Sequence, residues 1–249
     1  MQDIHSVGDL ISAITHRVRS DGGVLWFRGH RSASWRVAPG ICCGYANADE
    51  RNFVHRFRAR AGTRRAALPS YDSLGAWLSL MQHYGLPTRL LDWTRSPLIA
   101  LYFAIEHYVS DRNAPREDAL VWVLEPHVLN ERDLGDEHTS SIEGGPCKPF
   151  LLPAFYHDAI EPGGVIAAMA SEYDMRMFVQ QGCFTIHSSR EPLEDRQGRA
   201  AYLTALRVPA EHIDDIAFEL DVSGIRRGDI FPDLDHLAAE LRERFRPIV

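Results

Sequence analysis

The sequence predicts an α+β fold in which helices flank a central, mostly antiparallel sheet. Two observations carry this prediction: amphipathic helical patterns recur along the 249 residues, and short apolar runs typical of strands lie between them. A third is that no repeat, heptad pattern or flexible linker divides the chain. We therefore expect a single domain over residues 1–249, long enough to bury a large core.

Helix signals occur along the whole chain. Ser6 followed by Asp9 resembles a capping box and precedes an apolar stripe at helical spacing. Ser96 and Pro97 open another helix, because proline is favoured in a first turn. Further helices are expected at residues 48–67, 73–84 and 232–245.

Strand signals are short runs of apolar residues. Residues 24–27 form the first, and residues 35–38 are expected to pair with it across a polar turn. The polar, broken segment 131–149 predicts a mobile loop. Other strands are expected at residues 90–93, 119–124, 177–179, 183–186 and 202–208.

Charge and composition exclude several classes of protein. The net charge of −7 argues against a surface that binds nucleic acid everywhere. Positive charge is concentrated in the first quarter and is nearly all arginine, which suits phosphate recognition, although a coding bias toward arginine explains it too. No apolar run would span a bilayer and the N-terminus lacks a signal-peptide pattern, so we expect a cytoplasmic protein that does not contact a membrane.

Common motifs for phosphate and metal binding are missing. Neither a P-loop nor a strand-linked GxGxxG is present, and no HExxH pair occurs, so we predict no metal site. The four cysteines form no CxxC pair and are expected to be reduced thiols. Cys183 and His187 share a predicted strand face, which is more typical of core packing than of a nucleophile and its base.

Three polar stretches interrupt the apolar pattern, and we interpret them as walls of one pocket. The first is residues 26–31 (WFRGHR), and the second is residues 82–94 (QHYGLPTRLLDWT). The third is residues 176–185, with Gln180, Gln181 and Gly182 at its centre. Polar groups collected between apolar elements are typical of sites held by a rigid scaffold.

In the first stretch, Arg28 is expected at the end of a strand. A guanidinium in that position would hold a phosphate in a fork. Gly29 would leave space for a ligand or permit a tight turn. The alternative is that Arg28 pairs with a structural carboxylate.

In the second stretch, Trp93 offers a flat face for a heteroaromatic ring. Asp92 would orient Arg89 or Arg28 as a buried pair, because a buried charge is costly unless it is paired. His83 would donate to a phosphate or a hydroxyl. The alternative is a salt-bridged corner between strand and helix, with Trp93 in the core.

In the third stretch, Gln180 and Gln181 precede a predicted strand. A primary amide there would fix a ribose hydroxyl or an amide ligand through its donor and acceptor, and Gly182 would let the backbone approach closely. The alternative is a polar entry into the strand with a turn glycine.

Together these stretches resemble the FRG domain family, named for a Phe-Arg-Gly tripeptide. That tripeptide is here Phe27-Arg28-Gly29. The similarity continues through residues 82–94, Pro97, residues 100–104, Arg176 and residues 180–185, and runs from residue 6 to residue 245.

The order of these elements is also similar to the ADP-ribosyltransferase superfamily. This likeness implies an ADP-ribosyltransferase-like fold and NAD as a substrate, without a metal. It implies that Arg28 holds a phosphate or ribose of NAD. It also implies that Asp92, Trp93 and Thr94 support the nicotinamide pocket.

The likeness assigns Gln181, or Gln180, to the position that is usually a glutamate acting on the ribose 2′-hydroxyl. Glutamine carries no charge and is not a base, so transfer would depend on positioning and electrostatic stabilisation. Glu172 is close in sequence and is a candidate for the missing carboxylate.

We therefore expect an enzyme that transfers ADP-ribose from NAD to a protein or nucleic-acid acceptor. The resemblance suggests a bacterial toxin or phage-defence effector, with an antitoxin or regulatory protein as a further partner. The alternative is a non-catalytic module that binds nucleotide or nucleic acid, for which residues 51–65 would form an exposed basic face. A third alternative is a phosphoester hydrolase that uses His83 and Asp92.

Overall fold

The computed structural model describes residues 1–21, 23–111, 114–171 and 175–245. Its strands are β1 (Gln2–Asp3), β2 (Trp26–His30), β3 (Leu90–Thr94), β4 (Ala119–Leu124), β5 (Ser140–Ser141), β6 (Val165–Met169), β7 (Gly182–His187) and β8 (Leu203–Val208). Its helices are α1 (Val7–Asp21), α2 (Asn47–Ala61), α3 (Leu74–His83), α4 (Pro97–Ser110), α5 (Pro126–Leu134), α6 (Lys148–Leu151), α7 (Met175–Val179), α8 (Ile213–Val222), α9 (Arg227–Ile230) and α10 (Leu234–Arg244). No helix within these ranges is long and apolar enough to cross a membrane.

The strands form one sheet in the order β1-β8-β4-β2-β3-β7-β6-β5. The two outermost pairs, β1 with β8 and β5 with β6, are parallel. All the pairs between them are antiparallel. The prediction of an α+β fold with a central, mostly antiparallel sheet and flanking helices is therefore confirmed.

Helices cover one face of the sheet in two separate groups. The group of α1, α4 and α8 packs on β2, β4 and β8, and the group of α2, α3 and α6 packs on β3, β6 and β7. Leu129 of α5 joins the tryptophans of the opposite face in a third apolar cluster. The first two clusters leave a gap between α3 and α4, directly over β2 and β3.

The same two strands separate along most of their length. β2 and β3 are in register only at Phe27 and Thr94. By contrast, β2 pairs with β4 over all five of its residues, and β3 pairs with β7 over all five. A split therefore runs through the sheet, and its walls are the first and second of the polar stretches.

Two predicted helix starts are present as expected. The backbone N–H of Asp9 donates to Oγ of Ser6 at 3.0 Å, and the Asp9 carboxylate accepts from the N–H of His5 at 3.0 Å. Ser96 caps α4 by accepting from the N–H of Ile99 at 3.4 Å. Side-chain caps of this kind satisfy N–H groups that have no partner within the helix.

Several local predictions were wrong. Residues 35–38 form no strand, because the partners of β2 are β3 and β4. The strand predicted at 24–27 is shifted along the chain and runs from Trp26 to His30. Residues 177–179 belong to helix α7. The segment 131–149 is no simple loop, since it contains the end of α5 and the short strand β5, which pairs with β6.

Candidate active site

A cavity of about 400 Å³ fills the gap between α3 and α4 above the split. All three polar stretches contribute to its walls. They supply Phe27, Arg28, Gly29, Arg31, Gln82, His83, Asp92, Trp93, Thr94, Arg176, Met177, Gln180, Gly182 and Phe184.

A second chamber of about 680 Å³ opens on the other side of the split. The two chambers share Arg28, Trp35, Gln82 and Asp92. Arg28 and Asp92 therefore lie where the chambers meet. Cavities of this size are typical of sites for small molecules and cofactors.

Arg28 lies within β2 and not at its end, as the sequence suggested. Its Nη1 donates to the backbone oxygen of Asp92 at 2.7 Å, and its Nε donates to Nε2 of His30 at 3.0 Å. No carboxylate of the described residues lies within 4.0 Å of this guanidinium. Burial lowers the pKa of Arg28, while the charge of Asp92 acts in the opposite direction.

The buried ring of His30 lies between two donors. Trp122 Nε1 faces its Nδ1 at 3.2 Å, and Arg28 Nε faces its Nε2 at 3.0 Å. Burial, together with the nearby charge of Arg28, lowers the pKa of His30 to about 3, so the ring is neutral. Because a neutral imidazole has one acceptor nitrogen, it satisfies only one of these donors at a time. Arg28 thus keeps donor capacity for an anion that enters the split.

Asp92 is exposed and lines both chambers. Gln82 Nε2 donates to its Oδ2 at 2.6 Å. The hydroxyl of Thr88 donates to Oε1 of Gln82, which fixes the orientation of the amide. The carboxylate is therefore held in place by a neutral chain of hydrogen bonds, and no cation among the described residues forms an ion pair with it.

Thr94 and Gln180 join β3 to the third stretch. The Thr94 hydroxyl donates to the backbone oxygen of Gln180 at 2.7 Å and accepts from the N–H of Ser96 at 3.1 Å. With 5% of its surface exposed, Thr94 is a structural link and not a free ligand group. Nε2 of Gln180 donates to the backbone oxygen of Ile230 at 3.2 Å, which leaves its amide oxygen as an acceptor in the cavity.

Gln181 is not part of the cavity wall. Its backbone has a φ of +49°, in the left-handed region, and its side chain is exposed. Its carbonyl accepts from the N–H of Arg95 at 3.1 Å. The structure brings Gln180 into the site and leaves Gln181 outside it.

Trp93 contacts the cavity, but its ring faces the apolar core. Its side chain is 3% exposed, and its indole N–H donates to Oγ1 of Thr185 at 3.0 Å. Side chains of neighbouring strand residues alternate between faces, so Asp92 and Trp93 point in opposite directions. Trp93 therefore offers no exposed flat face on which a ligand ring could stack. The alternative interpretation, in which Trp93 packs in the core, is correct.

Arg89 lies away from the cavity, in a buried ion pair. It donates to Glu50 through Nη2 at 2.8 Å and to Glu161 through Nη1 at 3.1 Å. A further bond from Nη1 reaches the backbone oxygen of Phe150 at 2.9 Å. Burial acts to lower the pKa of Arg89, but the two carboxylates outweigh it and raise the pKa. The structure assigns Arg89 to the scaffold and not to a cofactor.

Gly29 touches the cavity, but its lack of a side chain serves the packing of α4. A Cβ at this position would lie 2.1 Å from the backbone oxygen of Ala100 and 2.5 Å from the backbone nitrogen of Ala104. The helix therefore crosses β2 at backbone contact distance. The space expected for a ligand is occupied by the helix.

His83 lines the cavity as predicted, and α4 adds residues that the sequence interpretation missed. These are Phe103, Glu106 and His107. The sequence feature that could have identified Glu106 and His107 is that they are two adjacent polar residues in an otherwise apolar helix. Trp35 was missed too; its ring stacks under the guanidinium of Arg31, 4.5 Å from Cζ to the ring centre. Glu172, the candidate for the missing carboxylate, lies outside the described residues.

Comparison with known proteins identifies one part of this chain. Residues 23–113 match the model of the FRG domain family. This segment includes β2, β3 and all of α4, and so contributes Arg28 and Asp92. No curated protein and no solved structure matches the chain.

Proposed function

We propose that this protein, whose residues 23–113 match the FRG domain family, cleaves NAD and transfers the ADP-ribose to a macromolecule. The observation that carries the proposal is the position of Arg28. It is a guanidinium with no carboxylate partner among the described residues, and it lies where two chambers meet.

A dinucleotide matches that arrangement. NAD has a diphosphate at its centre and a nucleoside on either side. Arginine recognises such phosphates with two parallel N–H donors. A diphosphate on Arg28 would place one nucleoside in each chamber, and both chambers reach Asp92.

Asp92 supplies the charge that the reaction needs. When the bond between nicotinamide and ribose breaks, the electron pair leaves with nicotinamide and the ribose carbon becomes positive. A fixed carboxylate nearby stabilises that charge without reorganising, and Gln82 holds Asp92 in this way. The acceptor then bonds to the ribose carbon, and Asp92 takes the proton that the acceptor releases.

Gln180 has a smaller part in the proposal. Its amide oxygen accepts a hydrogen bond from a ribose hydroxyl while its Nε2 stays on Ile230. It orients the sugar, and the carboxylate that stabilises the cation is Asp92. The order β2-β3-β7 also supports the likeness to ADP-ribosyltransferases, because the three stretches lie on or beside neighbouring strands.

The test follows nicotinamide release from NAD by chromatography, first with water and then with a cell lysate as acceptor. Arg28→Ala should lower kcat/KM about 10- to 160-fold, as expected for the loss of a charged hydrogen bond worth about 1.5–3 kcal/mol. Arg19→Ala, on the exposed surface of α1, is the matched control and should leave the rate unchanged.

Two outcomes would contradict the proposal. One is an Arg28→Ala protein that is folded and releases nicotinamide at the wild-type rate. The other is a wild-type protein whose melting temperature rises with NAD but which releases nothing, and this outcome would favour a binding module.

A further inference from the structure

A second surface, outside the candidate active site, joins three arginines and several aromatic rings. A groove of about 370 Å³ lies between α2 and Leu86. Its walls include Phe53, Arg56, Phe57, Arg60, Arg64 and Leu86, and we call it the arginine groove. Among the residues that the structure describes, no acidic one lines it.

The three arginines are exposed and have no acidic partner. No carboxylate of the described residues lies within 4.0 Å of Arg56, Arg60 or Arg64. Arg56 and Arg60 are one helical turn apart, about 6 Å along the axis of α2, and Arg64 lies in the turn that follows. By contrast, Arg58 points inward and stacks on Tyr71, 3.7 Å from Cζ to the ring centre.

Aromatic rings extend the groove at both ends. Tyr45 packs edge-on to Phe53 at 5.5 Å between ring centres, and Tyr84 lies 6.3 Å from Phe57. The two tyrosines are 39% and 59% exposed. The surface therefore offers π-faces beside the guanidinium groups.

The groove is continuous with the candidate active site. Leu86 lines both the groove and the larger chamber, and Tyr45 lines that chamber as well. The same chamber contains Arg28 and Asp92. A chain bound along the groove would lead directly to the Asp92 carboxylate.

We propose that the arginine groove binds single-stranded nucleic acid. Guanidinium groups that follow a phosphate backbone, with aromatic rings for the bases, are the elements that such sites combine. A duplex hides the faces of its bases, and an acidic peptide has no rings to stack on Tyr45 and Tyr84, so both fit the surface less well. That the bound strand is the acceptor of ADP-ribose rests in addition on the function proposed above.

The net charge of −7 makes this binding local and sensitive to salt. Without the three arginines of the groove the chain has a still more negative net charge, so attraction for a polyanion must come from the groove. Each phosphate neutralised on a single strand contributes about −0.7 to the slope of log K against log salt. Three arginines therefore account for a slope of about −2.

The experiment measures fluorescence anisotropy of labelled oligothymidine and oligouridine. Replacement of Arg56, Arg60 and Arg64 by Glu should weaken binding at least about tenfold at low salt. It should also reduce the magnitude of the slope of log K against log salt by about 2. The matched control replaces Arg19, Arg199 and Arg242 by Glu, which changes the charge equally on exposed sites elsewhere. Circular dichroism checks that both proteins are folded.

A second variant and two competitors complete the test. Tyr84→Leu should weaken binding without changing the salt slope, because stacking releases no counterions. Equal weakening by both charge-reversed proteins would overturn the proposal. So would competition by a duplex or by polyglutamate that equals competition by the unlabelled single strand.

Nicotinamide release with water as acceptor separates this inference from the proposed function. The groove variant should keep that activity, since none of its three substituted arginines lines either chamber at Arg28. If the protein binds single-stranded nucleic acid but does not cleave NAD, the proposed transferase activity is contradicted and the proposed role of the groove is not. If the protein cleaves NAD but does not bind single-stranded nucleic acid, the proposed role of the groove is contradicted and the transferase activity is not.

Discussion

Arg28 contacts Asp92 through the backbone carbonyl, at 2.7 Å from Nη1, and not through the carboxylate. This bond crosses the split where β2 and β3 are no longer in register, so it joins the two walls of the site. It also leaves the Asp92 carboxylate to Gln82 and to the solvent. The backbone carbonyl of Asp92 therefore holds Arg28 in position, and the side-chain carboxylate of Asp92 supplies the negative charge of the site.

The separation allows a clean test of the Asp92 charge. Asp92→Asn keeps the carbonyl that holds Arg28 and an oxygen that accepts from Gln82, and removes only the negative charge. We expect kcat for nicotinamide release to fall about 100-fold, as for the loss of one group that stabilises a transition state, with a small change in KM for NAD. Asp72→Asn, on the exposed surface, is the control. An unchanged kcat would remove Asp92 from the mechanism.

The two neighbouring glutamines are predicted to differ. Gln180→Ala removes an amide that faces the cavity, and one hydrogen bond worth about 0.5–1.5 kcal/mol corresponds to a roughly 2- to 12-fold loss of kcat/KM. Gln181→Ala should leave nicotinamide release unchanged, because its side chain is exposed outside the cavity. A larger loss for Gln181→Ala than for Gln180→Ala would contradict this assignment and would show that the backbone at Gln180 and Gln181 rearranges when NAD binds.

The sequence predicted the convergence of the three stretches because each lies on or beside a central strand. The faces of individual side chains were harder to assign. Asp92 and Trp93 both looked like site residues, and both line the cavity. Alternation along β3 nevertheless points their side chains to opposite faces of the sheet, and a shift of one residue would exchange those faces.

Arg89 shows a different limit of sequence interpretation. Its partner Glu50 is 39 residues earlier in the chain, and Glu161 is 72 residues later. No spacing in the sequence links these three, so their pairing follows only from the tertiary packing of α2 against the sheet. From the sequence, Arg89 therefore resembled a residue that binds a ligand, although in the structure it stabilises the scaffold.

Gly29 is predicted to be intolerant of any side chain. In Gly29→Ala the new Cβ would clash with backbone atoms of α4, which cannot rotate away, so the strand or the helix must shift. We expect a loss of about 1–3 kcal/mol or more in the free energy of unfolding, as for an overpacked core. Gly23→Ala is the control, since its added Cβ has no atom of the described residues within 4 Å apart from its own chain neighbours. Urea unfolding of both variants measures the difference.

Breaking the buried ion pair should destabilise the fold. Glu50 is 1% exposed, and Glu50→Gln leaves the Arg89 guanidinium without its most buried counter-charge. Removing one partner of a buried pair costs about 3–5 kcal/mol. Glu161→Gln should cost less, because that carboxylate is 31% exposed and water can replace it. Similar losses in the two variants, measured by urea unfolding, would contradict this account.

His187 should make stability fall in acid. Burial, together with the nearby charge of Arg196, lowers its pKa from 6.5 to about 3, so the folded protein keeps the ring neutral between these values. Below pH 6.5 the unfolded chain takes up a proton that the folded chain does not, so the free energy of unfolding decreases as pH falls toward 3. The slope for one such group is about 1.4 kcal/mol per pH unit.

His187→Gln removes that proton uptake. Urea unfolding between pH 4 and pH 6 should therefore show a slope of stability against pH that is smaller by about 1.4 kcal/mol per unit, whatever the absolute stability of the variant. His157→Gln is the control, because that ring is on the surface, and its slope should equal that of the wild type. A His187→Gln slope identical to wild type would mean that the ring is already protonated in the folded state or reaches water there.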